Sequence, residues 1–121
     1  MRYARLFADG SGESHFDNIE IAFTATDYVQ SAAPIDFSAA LPASQVAFMR
    51  APAGWTSDLH VSSARTMFVV LSGEWKVTAS DGESRRFAAG SALLVEDTTG
   101  TGHSSRVVSD TESVAVVVPL T

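Results

Sequence analysis

Three histidines, His15, His60 and His103, are the side chains of this sequence best suited to proton transfer or metal ligation near neutral pH. His60 closes the stretch Gly54-Trp55-Thr56-Ser57-Asp58-Leu59-His60, and Ser62, Thr66 and Gly73 follow it. His103 closes a second stretch that starts at Gly90 and passes through Glu96, Asp97, Gly100 and Gly102. Each places one imidazole beside an apolar run, with glycines as punctuation on either side. Two such imidazoles converging on one interior could act as general acid and base on a small molecule, in an isomerisation, a dehydration or a cyclisation. They could also bind a metal. Iron, manganese, nickel and zinc all accept imidazole and carboxylate, but three or four protein ligands are usual. Asp58, Glu96 and Asp97 are the nearest carboxylates in sequence that could complete such a set.

Around these residues the apolar positions recur with period two, which is the pattern of strands. Strands are expected over 19–24, 46–50, 66–71, 74–79, 92–95, 104–108 and 114–118. Met67-Phe68-Val69-Val70-Leu71 is continuously apolar, as in a strand covered on both faces. Asp81-Gly82 marks a hairpin tip. No long amphipathic helix is visible, and short strands with closely spaced turns point to an all-β sandwich or barrel. Residues 30–44, QSAAPIDFSAALPAS, read as a loop that covers the mouth of the barrel, reaches a partner subunit, or merely connects.

The two histidine stretches resemble the paired motifs of the cupin superfamily, particularly its small single-domain bacterial members. The first motif spaces a glycine, two histidines, a glutamate and a glycine as Gly54, His60, Ser62, Thr66 and Gly73 are spaced here. Ser62 and Thr66 therefore stand where a histidine and a glutamate are the rule. In the second motif Glu96 takes the place of a proline, two extra residues precede Gly100, and His103 keeps its place. The motif's last position falls on Val107. The resemblance covers residues 46–118. It implies one antiparallel β-barrel or jelly-roll domain over 1–121, with 1–45 supplying N-terminal strands and the mouth loop. It also implies a homodimer and an interior small-molecule site. Trp55, Ser62, Thr66, Phe68 and Val70 are then candidate substrate contacts, His60 and His103 candidate catalytic or metal-binding residues.

Three functions follow as expectations. One is an enzyme acting on a small organic substrate; the second is a non-catalytic ligand-binding or sensor protein; the third is a metal-dependent dioxygenase with a reduced ligand set. Arg50 and Arg65 are expected in surface ion pairs and His15 at the surface or a subunit contact. The chain of 121 residues has no cysteine, eight basic and fourteen acidic side chains and a formal charge of −6. It therefore offers no disulfide or thiolate site, and its charge disfavours nucleic acid and anionic membranes. No apolar stretch reaches the length of a membrane span and no signal core follows Arg2 and Arg5, so the cytoplasm is the expected location.

Overall fold

The computed structural model describes residues 1–121 and contains no helix. Its strands are β1 (Arg2–Ala8), β2 (Ser14–Glu20), β3 (Thr24–Thr26), β4 (Ile35–Phe37), β5 (Ala47–Ala51) and β6 (Thr56–His60). They continue with β7 (Thr66–Ser72), β8 (Glu74–Ala79), β9 (Ser84–Ala88), β10 (Ala92–Val95), β11 (His103–Val107) and β12 (Ser113–Pro119). Six form one sheet in the order β2-β1-β10-β7-β12-β5, and four form a second in the order β6-β11-β8-β9. β3 and β4 pair only with each other. All pairings are antiparallel except β1 with β10.

The two larger sheets bury a common core. Leu6, Phe68, Leu93 and Ala115 come from one, and Trp75, Val77, Phe87 and Val107 from the other. Alternation along β8 shows the mechanism: Trp75, Val77 and Ala79 are buried, while Lys76 and Thr78 between them are not. Full burial of a large apolar side chain contributes about 1.5–3 kcal/mol. Trp75 can be buried because its indole N–H donates to Ser113 Oγ at 2.7 Å. Asp81-Gly82 does form the β8–β9 turn, with Gly82 at φ 94°.

The N-terminal third departs from expectation. The strand expected over 19–24 is instead β2, which ends at Glu20, and a separate short β3. β1, with Arg2, Arg5 and a lone run of alternating burial, also joins the sheet, and its partners β2 and β10 lie in the same chain. β1 and β2 therefore extend the sheet internally. β6 and β9 carry mostly exposed, polar residues, which is why periodicity alone did not reveal them.

Candidate functional site

His60 ends β6 and His103 begins β11, and the two are direct partners in the antiparallel register. Their ring centroids lie 4.6 Å apart. The approach depends on Gly102. A Cβ there would stand 2.1 Å from the His60 carbonyl oxygen, and its φ of +82° is one that side-chain-bearing residues rarely adopt. A register irregularity immediately follows His103.

The hydrogen-bond partners fix the role of each imidazole. His103 Nδ1 lies 2.5 Å from Oδ2 of Asp97, a carboxylate with no exposed surface. Nδ1–H donates to that oxygen, which leaves Nε2 as an acceptor. His60 Nδ1–H donates to the Asp58 carbonyl oxygen at 2.9 Å, leaving its Nε2 free as well. Asp97 is held by its backbone: its carbonyl accepts the Ser62 N–H at 3.1 Å. Its Oδ1 has no hydrogen-bond partner among the protein groups. An unpaired buried polar atom costs about 1–3 kcal/mol, and such costs concentrate at functional sites.

Both rings line a cavity of about 200 Å³. Trp55, Phe68 and Trp75 form an aromatic wall, with Trp75 edge-on to the other two at 5.7 and 5.6 Å. Met49, Val77, Leu93, Val95 and Val117 complete the apolar lining, and Ser62, Thr66 and Ser105 add hydroxyls. None of the lining residues is Lys, Arg, Asp or Glu.

Of the residues singled out in the sequence, Trp55, His60, Ser62, Thr66, Phe68 and His103 meet here. Val70 does not. It points inward like Phe68 but lies one pleat further along β7, outside the cavity and sealed in the core at 1% exposure. No residue from 30 to 44 lines the cavity, so that segment does not cover its mouth. Trp75 and Ser105 belong to the lining without having been singled out; both lie on strands of the second sheet whose faces only the three-dimensional pairing reveals. His15 is a surface residue that bonds Asp9 at 2.6 Å and Asp81 at 2.8 Å. Arg50 and Arg65 pair with Glu112 and Glu96.

The donor set does not fit a resident metal ion of the kind held by three or four side chains. The Ser62 and Thr66 hydroxyls both donate to the Ala64 carbonyl. Glu96 is taken up by Arg65 at 2.7 Å and Arg5 at 3.6 Å. Asp58 meets His60 through its backbone oxygen, and the Asp58 side chain is not among the cavity lining. No three His, Asp or Glu side chains gather in a metal-holding group anywhere in the chain.

No protein-family model and no curated protein matches the chain. Solved structures do. The Schizosaccharomyces pombe Cnp3 cupin domain matches with TM-score 0.51 and 13% identity, over 89% of this chain and 73% of that one. Drosophila melanogaster CENP-C, in a crystal structure bound to CAL1, matches with TM-score 0.52 and 15% identity, over 82% and 79%. A cupin domain from Bordetella pertussis shares 23% identity over 63% and 79%, with TM-score 0.49. The chain has the all-β fold of the cupin superfamily. No helix in it is long and apolar enough to cross a membrane.

Proposed function

We propose that this protein is an acid–base enzyme acting on a small neutral organic molecule held between the two sheets. The observation that carries the reading is the buried Asp97–His103 pair, whose free Nε2 belongs to a cavity lined with apolar and hydroxyl groups. A cavity on the order of 150 Å³ holds benzene, so this one suits a single ring with a small substituent. With no charged side chain in the lining, it offers no bidentate partner to a carboxylate or phosphate.

In this reading His103 Nε2 takes a proton from the substrate. The charge that develops on the imidazole is stabilised by Asp97, which also holds the ring in place. The protonated His103 Nε2 then returns the proton to another position of the substrate, or passes it to the bare Nε2 of the exposed His60 and so to solvent. The net reaction is a proton relocation, with no redox partner needed. A non-catalytic binding protein would use the same cavity without the proton transfer.

Deuterium wash-in separates the two. Neutral cyclic ketones and lactones are incubated with the protein in D2O and the acidic C–H positions followed by NMR. Saturable exchange that falls by about a hundredfold or more in His103→Gln supports catalysis. Saturable binding of these probes with no catalysed exchange overturns it in favour of binding alone.

A further inference from the structure

The outer face of the four-stranded sheet carries a row of cations. Alternation buries Trp75, Val77 and Ala79 of β8 and turns Lys76 and Thr78 outward. On β11, His103 and Val107 are buried, and Ser104 and Arg106 take outward positions. Thr56, Arg106, Lys76 and Arg86 then follow one another in register across β6, β11, β8 and β9.

Like charges directly opposite one another destabilise a strand pair. Arg86 is neutralised by Glu74 at 2.7 Å. Lys76 and Arg106 are not neutralised by anything in the chain. Of the eight basic side chains, Arg2, Arg5, Arg50, Arg65, Arg85 and Arg86 each pair with a carboxylate. The two left over are the two that face each other, in a chain where acidic side chains outnumber basic ones fourteen to eight.

Both open onto a cleft of about 290 Å³ lined otherwise by serine and threonine, with no acidic and no apolar side chain. Thr78 Oγ1 bonds Ser84 Oγ at 2.7 Å, and the Ser57 and Ser105 hydroxyls meet at 3.3 Å. The Thr56 and Ser104 hydroxyls have no partner in the chain and are free to donate.

This donor set selects its ligand. Two positive charges match one dianion. The planar fork of Arg106 suits two oxygens of a phosphate, Lys76 supplies a point charge, and the hydroxyls reach the remaining oxygen. A carboxylate has one charge and two oxygens, so it leaves donors unused. A long polyanion is disfavoured, because the rest of the chain is net negative and repels it.

We propose that Lys76 and Arg106 form a binding site for a phosphate dianion, free or carried on a small phosphomonoester, on the opposite face of the sheet from the His60–His103 cavity. The test is a ¹H–¹⁵N NMR titration at about pH 7.5, where a phosphomonoester is mostly dianionic, and at physiological ionic strength. Inorganic phosphate, glycerol 3-phosphate and succinate are added separately. Saturable shifts along β8 and β11 are expected with a phosphate dissociation constant of about 1 mM or below. Succinate should bind at least about tenfold more weakly. The tighter of the two phosphates names the source, free ion or ester. Lys76→Gln and Arg106→Gln should each weaken binding at least about tenfold, and Arg50→Gln on the other sheet should not. Lys76 and Arg106 both face solvent, so near-ultraviolet circular dichroism from Trp75 should persist in the variants. No saturable binding of either phosphate overturns the proposal. So does succinate binding as tight as phosphate, or phosphate binding that survives Lys76→Gln/Arg106→Gln or falls equally in Arg50→Gln.

Discussion

His60 and His103 are register partners on β6 and β11, and their ring centroids lie 4.6 Å apart. A one-residue slip would send one ring to the opposite face of the sheet. The site therefore depends on Gly102, which lies against the His60 backbone in this register, as much as on the histidines themselves.

Gly102→Ala tests that dependence. The added Cβ would lie 2.1 Å from the His60 carbonyl oxygen, whereas at Gly54, with a similar φ of +77°, it would meet nothing within 4 Å. Gly54→Ala should cost about 1–3 kcal/mol from backbone strain alone. Gly102→Ala should cost clearly more in urea unfolding. Equal costs would show that the close approach to His60 does not matter.

Asp97→Asn keeps the shape of a side chain with no exposed surface but removes its charge and one acceptor. Unfolding free energy should fall by about 1–3 kcal/mol, because the bond to His103 loses its charge and the new amide N–H groups find no partner where Oδ1 had none. Deuterium wash-in should fall by about a hundredfold or more. Unchanged exchange would remove Asp97 from the mechanism.

Trp75→Phe removes the indole N–H that donates to Ser113 Oγ in the core and leaves that acceptor short of a partner. The expected loss is about 1–3 kcal/mol in denaturant unfolding. A smaller loss would mean that the core reseats Ser113 without cost.

His15 gives the fold a pH-dependent clasp between the β1–β2 and β8–β9 turns. Hydrogen bonds, first to Asp9 and then to Asp81, hold its imidazole above the usual range. Its contribution to stability is complete below about pH 6.5 and fades as pH rises through the raised folded value. Asp9 is lowered chiefly by Ser11 and then His15, and Asp81 by the Glu83 backbone and then His15. Their contributions are present above about pH 3.8 and fade as pH falls through the lowered values. Between pH 6 and 9, His15→Gln should flatten the fall of Tm that the wild type shows. Parallel Tm profiles for the two proteins would contradict the clasp.

The strands that surround the site were legible because Phe68, Val70, Trp75 and Val77 alternate or run together as buried strands do. The second motif's histidine was legible from its glycines. The bond from His103 to Asp97 was not, although Asp97 stood among the carboxylates considered. Two extra residues before Gly100 change the turn, and only the folded path shows that Asp97, not Glu96, swings under the ring. Thr66 and Ser62 lie in the cavity as their spacing suggested, yet their hydroxyls are spent on Ala64, a bond no spacing rule reveals. Residues 30–44 read as a loop because Pro34, Pro42 and the many small residues hide the short alternation of Ile35 to Phe37.

The most direct measurement is the long-range ¹H–¹⁵N NMR spectrum of the three histidine side chains, recorded with increasing phenol as a neutral one-ring probe. The account predicts that His60 and His103 both begin as Nδ1–H forms with bare Nε2, and that both Nε2 signals move saturably while those of His15 stay still. Nε2–H forms at either residue, or saturable binding that moves neither ring, would contradict it.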